Sequence, residues 1–226
     1  MVKIRFDPLV TETSQRLYGL SALIELIYEA IPDVELRERD ALKQLAEHEN
    51  WDFGDFSVEN QFLDVKFKYS LPRSAAYSII ILLSSTVETQ LLAYARKVGK
   101  QKESSSNPND LNGSLDKSRM YIKRVSGLDL NNNARWKVLK DLQNLRNIIV
   151  HRAGKPDNNK RHRLEEMCRL YQGVSLNENP YTIRPDPELD ISILSCKRFA
   201  REIELFFKDL FTRANLPVET GLWPNI

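Results

Sequence analysis

Apolar residues recur every three or four positions along most of this chain, which is the spacing of one face of an α-helix. The first stripe predicts a helix over 9–31 that Pro32 closes, and Asp33 then caps a second helix over 33–50. Further helices are predicted over 72–98, 115–125, 133–152, 158–171 and 189–214. With only eight glycines in 226 residues, the pattern predicts an all-α protein.

Between these helices the pattern is weaker. The run Val65–Tyr69 alternates between apolar and basic residues like a short strand, although a helical continuation is also open. Residues 99–116 are polar and predict a mobile loop, and residues 173–188, with three prolines, predict a loop or a short extended segment. Residues 217–226 form a tail in which Trp223 is expected to pack as a strap.

These segments suggest a division into three parts. Residues 1–71 are predicted to be an N-terminal helical extension, packed on the rest or forming part of a dimer. Residues 72–216 are predicted to form the main helical bundle, with the loop 99–116 inside it, and residues 217–226 form the tail.

Composition narrows the class of protein. A formal net charge of +2 leaves any affinity for RNA to a local basic patch. Cys168 and Cys196 stand alone, which indicates a reduced, cytoplasmic compartment without a structural disulfide or zinc site. Polar residues interrupt the apolar stretch 75–95, so we expect a buried helix there and no membrane span, and the first eight residues lack the apolar core of a signal peptide.

One run of residues points to chemistry. Arg146 and Asn147, followed after three residues by His151, lie at the end of a predicted helix that Gly154 stops. A guanidinium and an imidazole can cleave a phosphodiester without a metal. On an ideal helix Asn147 lies one turn before His151, but Arg146 points about 140° away from His151. The two meet only if the helix bends or if a second copy of the helix packs against this one.

This arrangement, Arg-Asn-x-x-x-His, resembles the signature of the HEPN superfamily, and the helical pattern extends the resemblance over residues 72–214. The resemblance implies a HEPN-like helical bundle and a metal-independent, cofactor-free endoribonuclease. It also implies a homodimer with one cleft built from two motifs, and a role in a toxin–antitoxin or antiviral defence system, with an antitoxin or defence protein as possible partner. Arg146, Asn147 and His151 are then the catalytic residues.

Other residues are assigned around that motif. Glu88 interrupts the apolar pattern of its helix and is a candidate partner that fixes Arg146; an exposed helix face explains it equally well. Candidate RNA contacts are the basic residues Arg152, Lys155, Lys160, Arg161, Arg163, Lys123 and Arg124. For Lys123 and Arg124, an ordinary solvated helix face is the simpler interpretation.

Two alternatives stay open. An arginine and a histidine near a helix C-terminus also serve to satisfy the last carbonyls of the helix, with no catalytic role. The chain would then be a non-catalytic HEPN-like module that binds RNA, a nucleotide or a protein partner.

Overall fold

The structure, a computed structural model, describes residues 6–101, 111, 114–156, 161–178, 187–221 and 223–224. It is 81% helical with one small sheet, which confirms a mostly helical protein. The helices are α1 (Pro8–Glu49), α2 (Phe53–Val65), α3 (Leu71–Gln101), α4 (Leu115–Ser126), α5 (Trp136–Arg152), α6 (Arg161–Leu170) and α7 (Ile193–Arg213). Strands β1 (Val174–Glu178) and β2 (Pro187–Ile191) pair antiparallel, with Leu176 opposite Leu189.

One predicted boundary in the first 71 residues is wrong. Helix α1 continues through Pro32, so Asp33 caps no second helix. Proline removes one backbone hydrogen bond of the helix, and because Pro32 is exposed the carbonyl left without that partner can bond water. For Val65–Tyr69 a short strand and a helical continuation were both open, and the chain is helical there, with a π-helical turn at Lys66–Ser70. A five-residue alternation is too short to outweigh helices on both sides.

The later predictions are closer. Helix α4 ends at Gly127 in the left-handed conformation, as predicted, and Gly99 belongs to α3 and not to the loop. Most of the predicted loop, 102–110 and 112–113, lies outside the described residues. The last helix starts at Ile193 and not at Leu189, because Ser192 accepts a bond from the backbone of Ser195 and Leu189 belongs to β2.

The chain divides into two compact units, each built from separated segments. The first unit comprises Met1–Ala22, Ile80–Arg146 and Lys197–Ile226. Its core is aromatic: Phe206 meets Phe207 edge to face at 5.3 Å between ring centroids, and Trp136 lies 6.1 Å from Phe206. In the tail, Trp223 lies 6.3 Å from Phe211 and donates to the carbonyl of Val218, as expected of a strap.

The second unit comprises Leu23–Ile79 and Asn147–Cys196. Its buried residues include Ile24, Phe67, Ile79, Ile149, Leu164, Met167, Val174, Leu189, Ile191 and Cys196. The predicted division at residue 72 stays a prediction, although the backbone there is one continuous helical run from Phe53 to Gln101. That run is long and apolar enough to cross a membrane by length and composition, and half of its most apolar window is buried inside the protein.

Candidate functional site

Helix α5 has an apolar face and a polar face. The apolar pattern predicts that Val138, Leu142, Leu145 and Ile149 face the core; the last three are buried, whereas Val138 is half-buried and its neighbour Leu139 is buried instead. The helix starts after Asn133, whose side-chain oxygen accepts from the backbone N–H of Arg135 at 2.8 Å. Burial of one face fixes the rotation of the helix, and therefore which side chains of the motif face solvent.

The motif residues lie at the last turns of this helix. Asn147 and His151 are exposed, and Arg146 is half-buried. The helix is α-helical without interruption from Trp136 to Arg152, so nothing in its backbone brings Arg146 towards His151. The two side chains therefore leave one helix about 140° apart.

The end of α5 is closed by its own backbone. Ala153 and Gly154 adopt left-handed conformations, and the Gly154 N–H donates to the carbonyl of Ile148 at 3.2 Å. The Lys155 N–H donates to the carbonyl of Arg152 at 2.9 Å. Of the last four carbonyls of the helix, which a basic side chain could satisfy, that of Arg152 is thus already bonded to the backbone, which weakens the capping explanation for His151.

A second set of contacts anchors the chain directly after the motif. The Leu189 N–H donates to the carbonyl of Gly154 at 2.8 Å, and the Tyr77 hydroxyl donates to the carbonyl of Leu189 at 2.5 Å. Arg73, one turn before Tyr77, forms an ion pair with Glu188. We call Tyr77, Gly154 and Leu189 the latch. Burial raises the pKa of Tyr77 to about 12, so its hydroxyl stays a donor at any physiological pH.

The latch residues were missed by the sequence analysis, apart from Gly154 as a helix stop. Tyr77 carries no local signal, since its partner is 112 residues away in sequence. The pairing becomes visible only when the strands are formed, because Leu189 bonds to both residues through its backbone. Every residue type has a backbone carbonyl, so the identity of Leu189 does not indicate that its carbonyl accepts this bond.

Glu88 approaches α5 at an earlier turn than predicted. Its carboxylate accepts from the Gln143 side chain at 3.5 Å, a long hydrogen bond, and Gln143 precedes Arg146 by one turn of the same helix. A direct pair between Glu88 and Arg146 stays a prediction. Asn144, on the face of Asn147 and His151, is half-buried, and its amide nitrogen has no hydrogen-bond partner within the described residues.

The predicted RNA contacts are exposed where the structure describes them. Arg152, Lys155, Arg161 and Arg163 follow the motif and face solvent; Lys160 lies outside the described residues. Arg161 pairs with Glu165 of its own helix at 3.1 Å. These side chains are accessible to a phosphate backbone.

On helix α4 the two basic candidates are also exposed, but each has a contact within its own unit. Lys123 pairs with Asp129 at 2.6 Å, and the Arg124 guanidinium lies 5.5 Å from the centre of the Tyr121 ring. Such surface contacts are weak enough to be exchanged for a phosphate.

Neither a metal site nor the described cavity coincides with the motif. Within the described residues no group of three His, Cys, Asp or Glu side chains could hold a metal ion. A cavity of about 440 Å³ is lined by residues of the first unit that include Tyr94, Lys97 and Arg213, and none of the motif residues lines it. Asn147 and His151 therefore lie on an open helix surface.

No known protein family, no curated protein and no solved structure matches this chain.

Proposed function

We propose that this chain is a metal-independent endoribonuclease that acts as a cytoplasmic homodimer, within a toxin–antitoxin or antiviral defence system. The observation that carries the proposal is the state of His151: an exposed imidazole on the last turn of a helix whose end is closed by the backbone N–H groups of Gly154 and Lys155. A histidine whose backbone is anchored and whose ring faces solvent suits general acid–base work.

In this proposal the RNA 2′-hydroxyl attacks the adjacent phosphorus, and the bond from phosphorus to the 5′-oxygen breaks. His151 takes the proton of the nucleophile or gives one to the leaving oxygen. Arg146 stabilises the charge on the non-bridging oxygens through its two-pronged guanidinium, and Asn147 orients the groups around it. The products are a 2′,3′-cyclic phosphate and a 5′-hydroxyl, and DNA resists because it lacks the nucleophile.

Because Arg146 and His151 point in different directions from one helix, the proposal includes a second copy of the chain. If two α5 helices face each other, Arg146 of one copy can serve the same phosphate as His151 of the other. The exposed basic residues after the motif, Arg152, Lys155, Arg161 and Arg163, would then hold the RNA backbone on either side.

The test is cleavage of a mixed pool of tRNA, mRNA and rRNA by purified protein in excess chelator. We expect cyclic-phosphate ends from the wild type and no cleavage by His151→Ala or Arg146→Ala. His48→Ala is the matched control, because His48 is also an exposed histidine in the last turn of a helix. Full activity of both motif variants would refute the proposal. Replacing the 2′-hydroxyl at the cut site with hydrogen should abolish cleavage there.

The same divergence also favours one alternative, a HEPN-like module that binds RNA, a nucleotide or a protein without reaction. It predicts that RNA is retained by the wild type without turnover, and that His151→Ala changes binding only. Growth arrest on expression of the wild type, but not of His151→Ala, supports the nuclease. Absence of toxicity is weaker evidence, since defence nucleases can need a trigger.

A further inference from the structure

The stretch of chain from residue 25 to residue 66 contains no buried residue, although every position in it is described and nearly all are helical. It is bounded by two residues that are well buried, Ile24 at 0% and Phe67 at 3% exposure. The stretch holds the end of α1 and all of α2, and we call it the 25–66 hairpin. A helix pair of this length normally buries an apolar face against something.

Charged side chains make polar contacts between the two helices of the hairpin. Arg39 donates to Asn60 at 2.8 Å and to Asp64 at 2.6 Å, and Lys66 donates to Glu38 at 2.6 Å. Exposed ion pairs contribute roughly 0–1 kcal/mol each. These contacts hold the face of α2 that carries Asn60 and Asp64, and they leave its opposite face exposed to solvent.

Apolar side chains lie on this opposite face of α2. Val58 is 53% and Phe62 62% exposed, one turn apart, and Val65 follows on the same side. Asn60 and Asp64, which face Arg39, point the other way. The spacing i, i+4, i+7 is that of a helix which presents its anchors to a partner. Exposed apolar groups in this number are a mark of an interaction surface.

Charge identifies the partner. The 25–66 hairpin carries twelve carboxylates and four Lys or Arg residues, a net charge of −8, whereas the whole chain is +2. The remainder of the chain is therefore +10. An acidic surface repels RNA and anionic lipid, which leaves a basic protein surface. A second copy of this chain offers one, and a two-fold arrangement lets each copy give its hairpin and receive the other.

We propose that the 25–66 hairpin is a dimerisation element, and that its Val58–Phe62–Val65 face packs on the basic remainder of a second copy. The acidic residues that flank the stripe, Asp55 and Glu59, meet Lys and Arg side chains of that copy. The dimer supplies the second motif that the proposed ribonuclease needs. This inference rests on the proposed function, but its test measures mass and uses no RNA, so a dimer that does not cleave RNA is distinguished from a chain that does not dimerise.

The experiment is sedimentation equilibrium and light scattering on the full chain, compared with Val58→Ala/Phe62→Ala. Alanine is the best helix former, so α2 keeps its propensity. We expect the wild type at twice the 26.2 kDa of one chain, and a dissociation constant about a hundredfold higher for the double variant. Met120→Ala is the matched control, because Met120 is 55% exposed on α4. Glu59→Lys should also weaken the dimer, and added salt should weaken the wild type.

The helix content of the double variant is measured by circular dichroism, and a value equal to that of the wild type shows that the variant is folded. A wild type of 26.2 kDa at high micromolar concentration would overturn the proposal. So would a dimer unaffected by Val58→Ala/Phe62→Ala and Glu59→Lys, since the contact would then use another face. Co-purification of a different, basic protein that these variants release would assign the hairpin to that partner and refute a second copy.

Discussion

Gly154, three residues after His151, is the position where a single methyl group should do the most damage. Its φ of +85° is costly for a residue with a side chain, and a Cβ placed there would lie 2.8 Å from Cζ of Tyr77 and closer still to the Tyr77 hydroxyl. The hydroxyl cannot retreat freely, because it donates to the carbonyl of Leu189. Gly154→Ala therefore combines backbone strain with the loss of the latch.

The magnitude follows from a comparison with Gly127. Gly127 has a similar φ of +75°, and nothing lies within 4 Å of its would-be Cβ. Strain of about 1–2 kcal/mol, partly offset by about 0.4–1 kcal/mol from a stiffer unfolded chain, leaves about 1 kcal/mol for Gly127→Ala. Gly154→Ala adds about 1 kcal/mol for the hydrogen bond and about 1–2 kcal/mol for the collision with the ring. We expect a total of about 3–4 kcal/mol.

Urea unfolding followed by far-ultraviolet circular dichroism measures both variants. The cause is tested by adding Tyr77→Phe, which removes the oxygen but not the ring. Because the Tyr77→Phe background has no hydrogen bond left to lose, Gly154→Ala should cost about 1 kcal/mol less there, while the collision with the ring remains. Equal costs of Gly154→Ala and Gly127→Ala, within about 0.5 kcal/mol, would refute the latch as described.

Three further predictions rest on single side chains. Burial raises the pKa of Tyr77 from 10 to about 12, so between those pH values the folded state keeps this proton while the unfolded chain loses it. The free energy of unfolding should therefore fall as pH rises from 10 to about 12, and it should fall less steeply in Tyr77→Phe. Urea unfolding across that pH range measures both. Burial raises the pKa of both thiols, to about 12 for Cys196, so a thiol reagent should modify half-buried Cys168 in the native protein and Cys196 only on unfolding. His151→Ala should change stability by less than about 0.5 kcal/mol, whereas Ile149→Ala should cost about 2–4 kcal/mol, in the same unfolding assay.

The sequence was informative where a local rule decides the structure. The stops of α4 and α5 follow from Gly127 and Gly154, since glycine alone adopts the left-handed conformation without strain. The buried face of α5 follows from its three- and four-residue spacing. Local rules failed at Pro32, where an exposed helix tolerates the proline, and at Leu189, where pairing with β1 competes with helix formation.

Two features have no local signature at all. The latch joins the Tyr77 hydroxyl to the backbone carbonyl of Leu189, far along the chain, so no residue type in the sequence predicts this contact. The exposure of the 25–66 hairpin was equally hidden, because its stripes of Leu, Val and Phe read as ordinary core positions. Periodicity shows that a helix has an apolar face; it does not show whether this chain or another one covers it.

His151 combines two properties that rarely serve packing. Its backbone is held by a helix end that the Gly154 N–H closes and that Leu189 and Tyr77 anchor from the other side. Its ring nevertheless faces solvent, where a side chain contributes little to stability. A residue kept for stability would be buried or bonded to the helix end, where the carbonyls of Ile148 and Arg152 already accept backbone N–H groups. Rigid placement of an exposed imidazole is what proton transfer requires, since a displacement of about 1 Å can cost a hundredfold in rate. The anchored end of α5 thus favours a chemical role for His151 over a capping role.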